Sequence, residues 1–340
     1  MDDVVRLIHG AGGSLMEELI KKVIVSGIDL RRALSGVGLD EMDDGASLRL
    51  GEHELVVSMD GHTVDPIFFP GGDIGRLAVS GTTNDVAMMG ARPVALSDAM
   101  VVEEGFPIAD LRRIVESMNS TAKEIGLAVV GGDFKVMPRG KLDQIVISTC
   151  CVGVAAKGGV VLDSGARPGD RVIFTGSVGD HGIALLAVRE GLGFETRLKS
   201  DIAPIWGTVE AALRAGGVTA MKDPTRGGVA GVLNDIAGKS GVSIWLEEGD
   251  IPVKESVQAA SEMLGLDPLE VTCEGRAVIC VRPDRAEQVL KAVRGTRYGR
   301  GARIVGEVRA ERPGWVLLRT EVGGTRVLDK PLGEPIPRVC

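Results

Sequence analysis

The residue with the most unusual placement is Cys340, at the C-terminal end of the chain. It ends the run Asp329-Lys330-Pro331-Leu332-Gly333-Glu334-Pro335-Ile336-Pro337-Arg338-Val339-Cys340. Its three prolines exclude helix and central strand. The natural conformer is an extended arm at about 3.1 Å per residue, long enough to carry a thiol roughly 30 Å from its root. A thiol on such an arm is suited to presenting a covalent group to more than one site. A prenylation box is excluded, because the cysteine is last and not fourth from the end.

Acidic groups at predicted loop and strand ends form the second signal. Asp43-Asp44-Gly45-Ala46 precedes a strand, Asp60 ends one, and Asn84-Asp85 lies within a helical stretch. Gly131-Gly132-Asp133 ends another strand. Asp223-Pro224-Thr225-Arg226-Gly227-Gly228 ends a strand and opens a helix. Magnesium takes hard oxygen ligands and is usually held by few carboxylates plus phosphate. A glycine-flanked helix start offers N–H groups to that phosphate. Any one aspartate is ordinary in a turn, but the last segment combines acid, base and paired glycines at one junction. The sequence has no Walker A pattern, so a metal–nucleotide site here would not be a P-loop.

Alternating strands and helices must position these groups. The first half predicts a helix over 14–26, with Ser14 and Glu17 at the spacing of a capping box. Strands follow at 47–50 and 54–59, a helix over 75–89, a buried strand at 94–102, and a helix over 107–125 opened by Pro107 and closed by Gly126. Strands at 127–130 and 144–154 complete that half. A turn-rich stretch, 157–170, leads to a strand starting at Val172. Helices near 180–190, 203–215 and 227–237 then alternate with strands near 242–246, 277–281 and 302–308. The reading is α+β: two mixed α/β domains, 1–157 and 158–328, and an extended flexible C-terminal tail, 329–340.

The chain of 340 residues has room for two such domains. Aromatics make up only 3% against 44% hydrophobic residues, so aliphatic side chains fill the core. The net charge of −8, with no Lys/Arg run, excludes a nucleic-acid footprint. There is no long apolar span, and Met1-Asp2-Asp3 lacks the layout of a signal peptide, which points to the cytoplasm. Five cysteines at irregular spacing, without a CxxC pair, give neither a disulfide framework nor a structural zinc site. Cys150, Cys151 and Cys280 lie in apolar runs expected to be buried and inert.

Several runs carry a family resemblance. They are residues 59–75 (MDGHTVDPIFFPGGDIG), Gly81-Thr82-Thr83-Asn84-Asp85-Val86-Ala87, Gly132-Asp133-Phe134-Lys135-Val136, Gly179-Asp180-His181-Gly182 and Asp223 to Val229. The tail Pro337-Arg338-Val339-Cys340 is similar to a terminal Pro-Arg-Ile-Cys. The internal runs resemble the wider superfamily of aminoimidazole ribonucleotide synthetase, selenophosphate synthetase and thiamine-monophosphate kinase. The terminal cysteine narrows the resemblance to the HypE family of hydrogenase maturation proteins, over essentially the whole chain.

That resemblance implies a homodimer built through the first domain and an ATP-dependent carbamoyl dehydratase. HypF, a carbamoyltransferase, loads the thiol of Cys340; ATP-driven dehydration turns the thiocarboxamide into a thiocyanate. The cyanide then passes to the iron of a [NiFe] hydrogenase through a HypC–HypD complex. The resemblance matches Asp44, Asp60, Asp85 and Asp133 to positions holding Mg-ATP, with Asp44, Asp85 and Asp133 as Mg2+ ligands, and Asp223 to the phosphate end. The adjacent Asp43 is an alternative to Asp44. Asn84, Thr225 and His9 join the nucleotide set, His9 closing over phosphates from its glycine-rich segment. Glu274 and Lys135 match positions that handle the thiocarboxamide nitrogen, where a carboxylate suits proton abstraction and an ammonium suits positioning. His62 and His181 lie in family motifs and take no specific role beyond that of satisfied structural histidines. Two rivals remain: a superfamily kinase or synthetase acting on a small diffusible substrate, and a non-catalytic nucleotide-binding scaffold. Neither needs the terminal cysteine.

Overall fold

The computed structural model describes residues 4–191 and 198–340. Met1, Asp2 and Asp3, on which the reading of the N-terminus rests, lie outside the described residues.

The first half builds a five-stranded sheet. After helix α1 (Gly13–Leu19) come β1 (Ala46–Leu50) and β2 (His53–His62), then the short pair β3 (Phe68–Phe69) and β4 (Gly72–Asp73). Helix α2 (Ile74–Met88), β5 (Arg92–Glu103), α3 (Ile108–Ile125), β6 (Ala128–Met137) and β7 (Ile145–Ala156) complete it. The strand order is β1-β2-β7-β5-β6, with β6 at an edge and parallel to β5. Strand β7 alternates strictly: Ile145, Ile147, Thr149, Cys151, Gly153 and Ala155 are buried, while the residues between them are half-buried. The inward set packs beneath α2, which is buried along almost its whole length. Asp73 caps α2 by accepting from Gly75 N (2.8 Å) and Arg76 N (3.0 Å). Helix α3 starts after Pro107, buries Ile114, Met118 and Ala122 on one stripe, and stops at Gly126 in the left-handed conformation.

The second half builds a seven-stranded sheet from β8 (Arg171–Phe174), β9 (Val218–Lys222), β10 (Ser243–Glu247), β11 (Val278–Val281), β12 (Arg303–Arg309), β13 (Val316–Arg319) and β14 (Thr325–Val327). Their order is β14-β13-β10-β12-β8-β11-β9. Five helices accompany them: α4 (Asp180–Arg189), α5 (Trp206–Ala215), α6 (Gly228–Ser240), α7 (Glu255–Leu264) and α8 (Ala286–Arg294). The α+β class and the two mixed-sheet units match the sequence reading. The reading did not mark α7, α8, β13 or β14. One hydrophobic core joins the halves: Ile183, Leu185, Val257 and Val271 pack with Leu77, Ile114 and Ile147 of the first sheet and its helices.

Several local expectations change. The helix over 14–26 is α-helical only to Leu19, then passes into a π turn at Ile20–Ile24 and a 3-10 turn at Val25–Gly27. No capping box forms at its start. The N–H groups of Ser14 and Leu15 bond the carbonyls of Pro331 (3.0 Å) and Leu332 (3.3 Å), and Glu17 pairs with Lys330 and Lys21. The tail therefore caps α1 from outside. Asp60 and Asp133 lie inside their strands, because β2 continues its ladder to His62 opposite Ile147 and β6 follows β5 to Met137 opposite Glu103. The strand near 94–102 is one-sided, with Val94 37% exposed. Cys150 faces outward from β7 and is half-buried.

Candidate functional site

The tail 329–340 is docked in the described structure. Ile336 and Val339 belong to the hydrophobic core that joins the two halves, at 1% and 2% exposure. Polar contacts hold the backbone between them. Arg189 donates from Nε to Asp65 O (2.5 Å), from Nη2 to Arg338 O (2.6 Å), and from Nη1 to Pro337 O. His181 is buried and its pKa is pushed down to about 4, chiefly by burial, so the ring is neutral. Its Nε2 contacts Val339 O (2.7 Å) and therefore carries the proton; its Nδ1 then accepts from Ser200 Oγ (2.7 Å). The Cys340 main-chain oxygen accepts from Thr63 N and Thr63 Oγ1, both at 3.1 Å. Glu334 is buried and accepts from Gly227 N (2.9 Å); burial lifts its pKa to about 8. Gly13 is at φ +69°, and a Cβ there would meet Pro331 O at 2.4 Å, so only glycine lets the N-terminal segment lie this close to the tail.

These contacts deliver Cys340 to the wall of a cavity of about 440 Å3. The cavity runs between the two sheets under the N-terminal helix. Asp44, Asp60, Asp85, Asp223, Thr225 and Glu274 all line it. They come from separate elements: Asp44 from the turn before β1, Asp60 from β2, Asp85 from α2, Asp223 and Thr225 from the β9–α6 turn, and Glu274 from the turn before β11. Gly228, two residues past Arg226, is at φ +60° with Leu269 O 2.5 Å from where a Cβ would stand, so the β9–α6 turn can close tightly beside the cavity.

Electrostatics show what the cavity would accept. Burial, and then the neighbouring carboxylates Asp223 and Asp163, push Asp44 up to about 7 against the pull of Lys222. Asp223 rises to about 6 through burial, with Asp60 adding to it and Lys222 opposing. Asp85 is raised well above the usual carboxylate range by burial and by Asp223, Asp60 and Asp44. Ser58 Oγ donates to Asp85 Oδ2 (2.8 Å), and buried Asp44 Oδ2 has no hydrogen-bond partner. Desolvated carboxylates lifting one another in this way call for a cation. An all-oxygen donor set with a spare carboxylate oxygen fits Mg2+. Among the described residues no three His, Cys, Asp or Glu converge closely enough to hold a metal by themselves.

Asp43 also lines the cavity, but its two oxygens accept from Asp44 N (2.9 Å) and Asp163 N (3.0 Å). Asp43 is thereby committed to backbone N–H groups, whereas Asp44 keeps a free Oδ2. Glu274 is 3% exposed, and its Oε1 has no partner. Burial first, then Asp223, Asp60 and Asp201, raise it well above the usual range. The turn that carries Glu274 is buried, its backbone held by Asp201 Oδ1 (3.1 Å from Glu274 N) and by Asn84 Nδ2 (3.4 Å from Glu274 O). The Cys340 thiol is also raised, by burial and by Glu274 and Asp60, with Arg226 pulling the other way.

The structure does not bring every expected residue to this cavity. Asn84 is buried and committed elsewhere: its Nδ2 donates to Ala203 O (3.0 Å) and Glu274 O (3.4 Å), and its Oδ1 accepts from Ile205 N (2.9 Å). It fixes the backbone that carries Glu274. His9 lies in the one-turn segment Leu7–Gly10 outside the cavity lining, its Nδ1 accepting from Arg6 N (3.1 Å). Asp133 and Lys135 pair with each other at 2.7 Å on exposed strand β6, away from this chain's cavity. Cavity residues unmarked in the sequence are Lys222, which contacts Asp44, along with Lys239, Lys330, Asp235 and Ser58. Their positions depend on long-range folding. Lys222, adjacent to Asp223, Lys330, inside the tail, and Ser58, just before the run 59–75, stood near recognised signals.

The family model described as AIR synthase related protein, N-terminal domain, matches residues 42–155, and its C-terminal-domain counterpart matches 167–316. These define the architectural class, an AIR synthase-related protein with its acid-lined cavity between two domains. A putative hydrogenase expression/formation protein of Methanocaldococcus jannaschii is 47% identical over 98% of both chains. The carbamoyl dehydratase HypE of Azotobacter vinelandii is 47% identical, covering 99% of this chain and 97% of its own. A solved chain of a HypE–HypF complex superposes with a TM-score of 0.85 at 42% identity, covering 92% of this chain and 99% of its own. A HypE solved in complex with ATP superposes at 0.82 and 40% identity, covering 99% and 100%. The chain belongs to the HypE family of hydrogenase maturation proteins.

Proposed function

We propose that this chain is an ATP-dependent carbamoyl dehydratase of [NiFe] hydrogenase maturation, and that its substrate is a thiocarboxamide on its own Cys340. The observation that carries this reading is the meeting of Cys340 and Glu274 in one acid-lined cavity. A relative solved with ATP and another with HypF support nucleotide use and carbamoyl loading by HypF. Thiocyanate formation and transfer of cyanide to a HypC–HypD complex complete the reading.

Asp44, Asp85 and Asp223 would hold Mg2+ with the phosphates, and Asp60 and Thr225 would complete the nucleotide wall. ATP supplies the phosphoryl group that turns the amide oxygen of the thiocarboxamide into a leaving group. The chain does the rest. The docked arm orients the carbamoyl group, and its burial excludes water from the reaction. Glu274 takes the remaining proton from the nitrogen as the C–O bond breaks and phosphate leaves. Burial first, then Asp223 and Asp60, raise the pKa of Glu274 well above the usual range. Neutralising those two carboxylates with a cation removes part of that rise and favours the carboxylate that proton abstraction needs.

We also propose a homodimer through the first sheet. Its outer face carries Met59 at 72% exposure and Val94 at 37%, and edge strand β6 exposes Val130, Phe134 and Val136 at 67%, 52% and 58%. Such a face and edge call for cover. In that arrangement Asp133 and Lys135 of one subunit serve the cavity of the other, which accounts for their distance from their own. Residues 1–157, 158–328 and 329–340 act as dimerising, second and carrier units. The cytoplasm is the expected compartment: all five cysteines are free thiols, and among the described residues no helix is long and apolar enough to cross a membrane.

The test is mass spectrometry of the C-terminal peptide after carbamoyl loading and addition of Mg-ATP. The parent chain converts thiocarboxamide to thiocyanate. Glu274→Ala accumulates thiocarboxamide while binding ATP normally. Thiocyanate formed by Glu274→Ala at the parent rate would remove the base from the reading.

A further inference from the structure

A second pocket, of about 640 Å3, opens on the second domain. Its walls are the loop after β8 (Gly176, Ser177), residues Pro252 and Lys254, Arg276, and the α8–β12 connection. Six cations converge on it: Lys254, Arg276, Arg294, Arg297, Arg300 and Arg303. Among the described residues no carboxylate lines it. In a chain of net charge −8 this is a concentrated exception to the overall balance.

Four of the six cations are partly engaged. Lys254 meets Asp180 (2.6 Å), and Arg276 bridges Asp180 (3.6 Å) and Asp201 (3.4 Å) from within the wall. Arg294 Nε donates to Ala302 O (2.8 Å), and Arg297 pairs with Glu124 (2.8 Å). The side chains of Arg300 and Arg303 have no hydrogen bond or ion pair among the described residues. Like charges held this close repel one another, and an anion in the pocket removes that repulsion. Glycines at 176 and 301 bring the two walls together: a Cβ on Gly301 would stand 3.7 Å from the Gly176 Cα.

We propose that this pocket binds a small anion with clustered phosphates, of the pyrophosphate or polyphosphate class, with Arg300 and Arg303 as its primary ligands. Arginine forks match phosphate oxygens two at a time. The volume is that of a small-molecule site. The pocket reads phosphate and not a base, because the Tyr298 ring is already covered by the Arg297 guanidinium at 5.0 Å. It also lacks the apolar walls that would seat side chains of an acidic peptide. The site is separate from the acid-lined cavity and differs from it in one testable respect: the acidic cavity needs Mg2+ to accept phosphate, and the basic pocket does not.

The experiment is calorimetric titration of the full-length protein with inorganic pyrophosphate in EDTA. The parent binds at one site, and Arg300→Gln/Arg303→Gln weakens binding by about a hundredfold, as loss of two charge-assisted contacts requires. Mg-ATP binding by the double variant stays at the parent value, which shows that it is folded and that its other site is intact. The proposal is overturned by absence of pyrophosphate binding to the parent in EDTA, or by equal affinity in the double variant. Tighter binding of a polyglutamate peptide than of pyrophosphate overturns it as well, and gives the pocket to an acidic protein.

Discussion

The anchoring of the arm is open to a direct measurement. Ile336 is 1% exposed and packs close to Gly182, whose Cβ, if present, would lie 3.1 Å from Ile336 Cδ1. Ile336→Ala removes three carbons from the docked state and leaves the released arm nearly unchanged. At about 0.8 kcal/mol per buried carbon, docking weakens by about 2.4 kcal/mol. That raises the released fraction about fiftyfold. The docked Cys340 thiol is half-buried in the cavity wall and its pKa is raised by burial and by Glu274, so alkylation is faster through the released arm. Iodoacetamide labelling at fixed pH, followed by mass spectrometry of the C-terminal peptide, reads that fraction. The variant should label Cys340 about fiftyfold faster, up to the rate of a free thiol. Leu332→Ala, at a position 69% exposed, should match the parent. An unchanged rate in Ile336→Ala would refute the argument, because docking would then not depend on the apolar anchor.

Arg189→Gln removes the fork that holds the carbonyls of Asp65, Pro337 and Arg338, and should speed the same labelling about tenfold with little change in Tm. For pH, Asp44 is raised in the fold to about 7, so its contribution to stability is present below its unfolded value near 4 and is lost as pH rises through about 7. In EDTA, Asp44→Asn should therefore gain stability relative to the parent between about pH 4 and 7, read by thermal melts, and Mg-ATP should reverse the ranking at pH 8. Phe134→Asp places a charge on exposed edge strand β6 and should sediment as a monomer where the parent is a dimer, with loss of dehydration because Asp133 and Lys135 then serve no cavity.

Legibility in the sequence followed the range of the forces involved. Helix α3 announced itself through Pro107, Gly126 and its apolar stripe, all local features. Asp44 and Asp223 could be picked out because acids beside glycines at strand ends are short-range patterns. Glu274 was marked only by family likeness: nothing in Cys273-Glu274-Gly275-Arg276 tells that the turn is buried. The capping-box reading of Ser14 and Glu17 failed because the far end of the chain supplied carbonyls to the same N–H groups. The prolines of the tail correctly excluded regular structure, but not order. Its docking depends on α4 and on the segment after β2, through His181, Arg189, Thr63 and Asp65, none of which lies near it in sequence.

The N-terminal turn and the arm are stitched to each other: Ser14 and Leu15 donate to Pro331 and Leu332, and Glu334 donates to Ala11. Gly12, Gly13, Met16, Glu17 and Ile20 also roof the cavity. When the arm swings out, helix α1 loses the carbonyls that cap it, and the roof loosens at the same moment. Undocking the thiol and opening the roof are in that geometry one motion, because the same hydrogen bonds hold both.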